Sequence, residues 1–184
     1  SYISNKFSND NGKKELDTIF DDGRTLFKNP KPTALTTELI KMVCSKEDAV
    51  ILDFFAGSGT TLHATMELNK EDRGKRQCIL VTNNENKIAE EVTYERNRKV
   101  IQGYINAKGE KVEGLSKNNL RYYKADFVPS EQTEQNRRRL TKYSTELICI
   151  KEDCYTEITE QYQSEFIQTP LVRIFTNNLG KHLI

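Results

Sequence analysis

Residues 53–61 read Asp-Phe-Phe-Ala-Gly-Ser-Gly-Thr-Thr, and this stretch decides the fold. It follows the apolar run Ala49–Leu52, which is typical of a strand buried in a parallel sheet. It leads into Thr60–Asn69, which has the composition of a helix. The glycines allow a tight turn between the two elements, and the free amides of the helix N-terminus favour an electron-rich ligand. The sequence therefore predicts a strand, a turn and a helix, with a ligand site at the turn.

The same stretch discriminates between classes of ligand. A dinucleotide site would need a third glycine where this chain has Leu62, and a P-loop would need Gly-Lys-Ser/Thr where it has Gly59-Thr60-Thr61. A nucleotide-binding oxidoreductase is therefore disfavoured. The carboxylate of Asp53 at the end of the strand suits a cofactor with a cationic amino-acid end, whose ammonium group it can bind. A tight turn without a ligand is the structural alternative, and we favour the cofactor site.

The flanking segments extend this unit into an α/β domain. Residues 1–29 are polar, and we expect an irregular arm with one helical turn there. Thr33 is placed to cap a helix over Ala34–Cys44, whose apolar residues recur at helical spacing. Cys78–Val81 predicts a second buried strand and thus a β-α-β unit, and a helix with a well-solvated face is expected within 86–104.

The C-terminal third predicts a different kind of structure. The expected elements are a hairpin turn at Asn106–Gly109, a strand at Leu120–Phe127, a long charged helix within 130–151, and two or three short strands in Thr156–Ile184 with Pro170 between them. We place a boundary near residue 128, with residues 1–128 forming the cofactor-binding part and 129–184 a helix-and-strand extension.

Composition and charge limit the function classes. The chain has 184 residues, of which 36% are hydrophobic and 30% charged, as in one soluble domain with or without an appendage. Its 28 Lys and Arg balance 27 Asp and Glu, so net charge gives no global case for nucleic acid or membrane binding. No apolar run approaches the roughly 18 residues of a membrane span, and we expect a cytoplasmic protein. The four cysteines form no Cys-x-x-Cys pair, so no metal site is expected.

Residues 53–61 resemble motif I of the S-adenosylmethionine-dependent DNA amino-methyltransferases, in the form typical of adenine-specific enzymes whose catalytic motif precedes the cofactor motif. Phe27–Pro32, followed by Leu35, resembles motif X of the same class, the segment that folds against the cofactor. The order of the two motifs is that of the permuted class.

The rest of the chain narrows the resemblance. Thr82–Asn86, Tyr94–Arg96 and Asn119–Lys124 are similar to segments that follow motif I in the modification (Mod) subunits of type III restriction-modification systems. Together the similar segments cover most of residues 27–151. The chain thus resembles the C-terminal region of such a subunit.

This resemblance implies a fold, a cofactor and partners. The implied fold is α/β, with part of a Rossmann-like parallel sheet and a C-terminal mixed α/β extension. The implied cofactor is S-adenosylmethionine, and the partners of the intact enzyme would be duplex DNA, a restriction subunit and a second Mod subunit. The implied cofactor-binding residues are Lys31, Pro32, Asp53, Phe54, Gly57, Ser58, Gly59, Thr60, Thr61 and Glu85. For the cofactor ribose, Asn83 and Asn84 remain alternatives to Glu85.

One family feature is missing from the chain. The family methylates through an Asp-Pro-Pro-Tyr-like tetrapeptide, and none of the four prolines belongs to one. Asn29–Pro32 lacks the adjacent second proline and the terminal aromatic residue that would stack on a flipped base. In the permuted class the catalytic motif and the target-recognition region precede motif X. We therefore assign no catalytic residue and expect a fragment that does not methylate DNA alone. The alternative is a non-catalytic cofactor-binding or subunit-assembly module.

Overall fold

A computed structural model describes residues 7–20, 27–162, 172–177 and 179–184. The chain divides into two compact units, Ser1–Tyr123 and Lys124–Ile184. That these units correspond to a cofactor-binding part and an extension stays a prediction. Among the described residues, no helix is long and apolar enough to cross a membrane.

In the described part of the chain before the first strand, two helices are present. Helix α1 spans Asn9–Phe20 and helix α2 spans Thr33–Val43. The helix predicted over Ala34–Cys44 is therefore confirmed as α2. The irregular arm predicted for residues 1–29 is wrong over α1. Leu16, Ile19 and Phe20 are buried together in the main core, at the spacing of one helix face. The polar composition of the segment concealed this helix, because packing stabilises it more than intrinsic propensity does.

The start of α2 differs from the prediction. Pro32 occupies the N-cap position and Thr33 is the first helical residue. The acceptor at this helix N-terminus is supplied by Glu15 of α1, whose Oε2 accepts a hydrogen bond from the backbone N–H of Thr33 (3.0 Å). The Thr33 hydroxyl also donates to this carboxylate. A carboxylate distant in sequence therefore replaces the local cap that Thr33 was expected to provide.

The predicted β-α-β unit is confirmed. Strand β1 (Val50–Asp53), helix α3 (Thr60–Asp72) and strand β2 (Gln77–Leu80) follow one another, and the two strands pair in parallel. One sheet face packs on the helices, where the buried Ile40, Ala64 and Leu68 meet Ile51. On the other face, apolar side chains remain exposed: Val50, Leu52 and Ile79. The chain has a mixed α/β fold, and two strands of the described residues form its parallel sheet.

The helix predicted within 86–104 is composite. A 3-10 turn at Glu85–Lys87 leads into a π-helical segment at Ile88–Tyr94, and α4 follows at Glu95–Gln102. The expected solvated face is only part of its surface, because Arg96 and Asn97 are buried together with apolar neighbours. The hairpin predicted after the helix is confirmed as β3 (Tyr104–Ile105) paired antiparallel with β4 (Lys111–Val112).

The strand predicted at Leu120–Phe127 is wrong. Residues 113–133 contain no helix or strand. Tyr122 instead contacts Tyr94 edge to face, with ring centroids 5.5 Å apart. The residue types in this segment favour a pleated, half-buried surface, but they form a strand only where a neighbouring strand pairs with them.

The second unit confirms the elements predicted for it. Helix α5 spans Glu134–Glu152, and Thr133 caps it by accepting a hydrogen bond from the N–H of Asn136 (3.2 Å). Strands β5 (Thr156–Glu157), β6 (Phe175–Thr176) and β7 (His182–Leu183) form one antiparallel sheet. The small core of this unit contains Cys149, Cys154 and Phe175. Pro170, predicted to separate strands, lies outside the described residues.

Candidate functional site

The glycine loop, residues 54–59, joins the carboxyl end of β1 to the N-terminus of α3. Gly57 and Gly59 have φ angles of 51° and 75°, which side-chain-bearing residues rarely adopt. The N–H of Ala56 donates to the carbonyl of Val81 (3.1 Å), which ties the loop to the end of β2. Among the described residues, the N–H groups of Gly57 and Ser58 have no hydrogen-bond acceptor. The loop thus offers free amides at the carboxyl edge of two parallel strands.

Asp53 spans the base of this loop. Its Oδ1 accepts a hydrogen bond from the N–H of Phe55 (2.9 Å), and its Oδ2 accepts one from the Thr61 hydroxyl (2.5 Å). Asp53 and Thr61, both predicted site residues, are therefore in direct contact. The next residue along, Phe54, is 62% exposed at the strand end. The carboxylate is half-buried, so it shapes the loop and also places a negative charge at its mouth.

Three side chains hold the loop from the segment that precedes and begins α4. We call Thr93, Arg96 and Asn97 the loop clamp. Thr93 donates to the carbonyl of Gly57 (2.6 Å), and Asn97 Nδ2 donates to the carbonyl of Gly59 (3.2 Å). The clamp residues share one helix face, because they are spaced at i, i+3 and i+4. They bind the loop through its carbonyls and hydroxyls and leave the N–H groups of Gly57 and Ser58 free.

Arg96 is the charged member of the clamp, and its side chain is completely buried. Its Nη1 donates to the hydroxyls of Ser58 (3.2 Å) and Thr60 (2.8 Å). Its Nη2 pairs with the carboxylate of Glu15 and donates to the Thr33 hydroxyl (3.1 Å). The hydroxyls of two predicted site residues, Ser58 and Thr60, are therefore bound by a guanidinium inside the protein.

The Glu15 carboxylate provides the electrostatic counterpart of Arg96. Burial alone would raise the pKa of Glu15, but hydrogen bonds with His63 and Thr33 and the charge of Arg96 outweigh burial and lower the pKa to about 2. The His63 ring lies in the same cluster, with its Nδ1 3.2 Å from Arg96 Nη2. The network therefore keeps Glu15 ionised, and it joins α1, α2 and the glycine loop.

The segment that resembles motif X lies beside the loop. The Thr60 hydroxyl donates to the carbonyl of Lys31 (3.1 Å). The Phe27 ring approaches Gly57 so closely that a Cβ there would lie 3.2 Å from its Cζ atom. Pro32 is buried, whereas Lys31 is exposed and its Nζ donates to Asn9 Oδ1 (2.9 Å). The structure thus brings Lys31, Pro32 and the loop residues together.

The candidates for the ribose follow β2 and differ in their surroundings. Asn83 Oδ1 accepts from the N–H of Glu85 (3.2 Å), and Asn84 Oδ1 accepts from the N–H of Ala89 (3.1 Å). Both amides therefore shape the turn before the π-helical segment. The Glu85 carboxylate is exposed, and among the described residues it forms no hydrogen bond or ion pair.

Sequence reasoning missed the clamp and its counter-ion. The apolar face of this helical segment, formed by Ala89, Val92 and Val100, is interrupted by the three clamp residues. This interruption is a signal in the sequence that could have identified the clamp. Glu15 gives no such signal, because its partner Arg96 is 81 positions away in the chain. The described residues contain no group of three or more His, Cys, Asp or Glu that could hold a metal ion.

Comparison with known proteins identifies the relatives of the chain. The family model described as DNA methylase matches residues 2–105. The type III restriction-modification enzyme StyLTI Mod subunit of Salmonella typhimurium is 54% identical over 82 residues, which are 45% of this chain and 12% of that protein. The EcoPI Mod subunit of Escherichia phage P1 is 41% identical over 80 residues, 44% of this chain and 12% of that protein.

A type II enzyme is also similar. Methyltransferase M.KpnI of Klebsiella pneumoniae is 42% identical over 78 residues, 42% of this chain and 18% of that protein. The matched region thus spans less than a fifth of each of these curated relatives. The two Mod subunits confirm the resemblance that the sequence motifs indicated.

Proposed function

Because the chain belongs to the DNA methylase family, we propose that it forms the S-adenosylmethionine-binding part of a DNA adenine N6-methyltransferase of a type III restriction-modification system. The observation that carries this proposal is the glycine loop. It combines a carboxylate, Asp53, with unpaired amides at the carboxyl edge of parallel strands. Open α/β sheets bind their ligands at this edge.

The chemistry of the cofactor matches this arrangement. S-adenosylmethionine carries an ammonium and a sulfonium group, and a carboxylate at the loop mouth attracts both. The amides of Gly57 and Ser58 would bind the cofactor carboxylate, as anions bind at helix N-termini. The hydroxyls of Ser58 and Thr60 already bind Arg96, so these residues would contact the cofactor through their backbones.

The remaining predicted residues would line the rest of the pocket. Lys31 and Pro32 would form one wall beside the loop, and Phe54 would supply an exposed aromatic surface. For the ribose hydroxyls we favour Glu85, since the side-chain oxygens of Asn83 and Asn84 already accept backbone hydrogen bonds. A carboxylate after the second strand is a common partner of a ribose in such sheets.

The intact enzyme would need elements that this chain does not contain. The bound cofactor supplies the methyl group. A catalytic tetrapeptide elsewhere would hold the flipped adenine so that the adenine amino nitrogen attacks the sulfonium methyl in line. The exposed apolar face of Val50, Leu52 and Ile79 supports a further covering layer in the intact enzyme, as in a Rossmann-like fold, because both faces of a parallel sheet are normally covered by helices. Duplex DNA, a restriction subunit and a second Mod subunit are the proposed partners, and the cytoplasm the proposed location.

Titration calorimetry tests the cofactor assignment. We expect the chain to bind S-adenosylmethionine and S-adenosylhomocysteine, and not ATP or NAD at the same concentration. Binding of NAD or ATP in preference to S-adenosylmethionine would refute the assignment. The alternative of a non-catalytic module is tested by incubating the full natural protein with labelled cofactor and adenine-containing duplex. Methyl incorporation would exclude that alternative.

A further inference from the structure

We propose that Arg96 is a positioning residue for the cofactor, and that Glu15 is the counter-ion that makes this possible. Arg96 would set the shape of the glycine loop through Ser58 and Thr60 without touching the cofactor. This inference rests on the proposed function, because the loop shape matters for activity only if the loop binds the cofactor.

The first argument is the cost of burying a charge. The Arg96 side chain is 0% exposed, whereas long charged side chains are seldom fully buried unless they are paired. A buried ion pair contributes little net stability compared with apolar residues of the same volume. What it supplies here is a fixed geometry, because the flat guanidinium directs one nitrogen to the loop and the other to Glu15 and Thr33.

The second argument is the need of the loop for external support. Gly57 and Gly59 both have positive φ angles, and glycine has the largest conformational freedom to lose on folding. Thr93 and Asn97 hold the two glycine carbonyls, and Arg96 holds the residues that follow them. The clamp therefore controls the residues whose free amides form the proposed cofactor site.

The third argument is the reach of the network. The Thr60 hydroxyl, which binds Arg96, also donates to the carbonyl of Lys31. Glu15 binds Arg96 and the first residue of α2, Thr33. The ion pair of Arg96 and Glu15 thus joins the two sides of the proposed pocket, the glycine loop and the segment before α2. A change at Arg96 would displace both sides together.

Arg96→Lys tests the inference, with Arg98→Lys as the matched control. Lysine keeps a positive charge, but its one nitrogen cannot replace both Nη1, which binds Ser58 and Thr60, and Nη2, which binds Glu15. Arg98 lies on the same helix, and its guanidinium bonds to Glu95 and Gln102 instead of the glycine loop. The two variants are compared by calorimetric titration with S-adenosylmethionine, by thermal unfolding, and by amide hydrogen exchange of residues 56–61 without cofactor.

We expect Arg96→Lys to weaken cofactor binding about ten-fold or more. It should also speed exchange several-fold at Ala56 and Gly59, the loop residues whose N–H groups donate backbone hydrogen bonds. Exchange in β2, residues 77–80, should be the same in Arg96→Lys and Arg98→Lys. A general loss of stability would instead speed exchange in β2 as well. A folded Arg96→Lys protein with unchanged affinity and unchanged loop exchange would overturn the inference.

Thr60→Val decides the case if Arg96→Lys does not fold. Valine preserves the shape of Thr60 but removes the hydroxyl that Arg96 binds. We expect faster exchange of the loop and several-fold weaker cofactor binding, and wild-type behaviour in both would overturn the inference. If the wild-type chain itself does not bind S-adenosylmethionine, the proposed function fails, and loop exchange alone then decides whether Arg96 positions the loop.

Discussion

Replacing Asp53 by asparagine removes one negative charge from the loop mouth and leaves the loop bonds in place. The asparagine Oδ1 can still accept from the N–H of Phe55, and its amide nitrogen can donate to the Thr61 hydroxyl, which reverses the hydrogen bond seen in the structure. Asp53→Asn therefore tests the negative charge that attracts the cofactor separately from the hydrogen bonds that shape the loop. Asp53→Ala removes both the charge and these hydrogen bonds.

The size of the effect follows from the bonds involved. A hydrogen bond to a charged group contributes about 1.5–3 kcal/mol, which corresponds to roughly a 10- to 150-fold change in Kd. We expect Asp53→Asn to weaken S-adenosylmethionine binding by this factor with little change in stability. Asp53→Ala should bind more weakly still and unfold at a lower temperature, because each of two lost loop bonds costs about 1 kcal/mol.

Calorimetric titration measures the affinities, and circular dichroism measures thermal unfolding. Asp48→Asn is the matched control, because Asp48 is exposed just before β1, at the opposite strand end. It should bind the cofactor with wild-type affinity. Unchanged affinity of Asp53→Asn, in a protein with a wild-type melting curve, would show that Asp53 does not attract the cofactor.

Three further predictions follow from the packing and the charges. Gly59→Ala should destabilise the chain by more than about 1 kcal/mol in urea unfolding, because its φ is 75° and a Cβ would collide with Asn97 Nδ2; wild-type stability would contradict the loop geometry. Leu16→Ala should cost about 2–5 kcal/mol, since Leu16 is 1% exposed, and a much smaller loss would contradict the packing of α1. Because the pKa of Glu15 is lower in the folded than in the unfolded chain, its ionised carboxylate stabilises the fold above the unfolded pKa near 4.5. This contribution is lost as the pH falls toward 2, so Glu15→Gln should reduce the pH dependence of stability between these values. Equal slopes in the variant and the wild type would contradict the ion pair.

The β-α-β unit could be predicted because its signals are local. Apolar runs, two glycines and a helical pattern lie within one short stretch, and each element forms where its residues indicate. The motif-I-like loop was found in the same way. The pairing of β1 with β2, and the helix between these strands, could be predicted from the order of the elements along the chain.

The features that could not be predicted depend on long-range contacts. Helix α1 is stabilised by the core that it enters, and its first four residues, Asn9–Gly12, are weak helix formers. Leu120–Phe127 shows the opposite case, since residues that favour strands form none without a pairing partner. The ion pair of Arg96 and Glu15 joins distant positions in the chain. The sequence alone does not reveal whether a polar residue on a helix face contacts solvent or the side chain of a distant residue.

The location of bound cofactor tests the central claim most directly. The isotopically labelled chain is titrated with S-adenosylmethionine, and nuclear magnetic resonance measures the chemical shift of each backbone amide during the titration. We predict the largest changes at residues 54–60 and at Glu85, with smaller ones at Lys31. Changes confined to residues 124–184, or no changes at saturating cofactor, would contradict the claim that the glycine loop holds the cofactor.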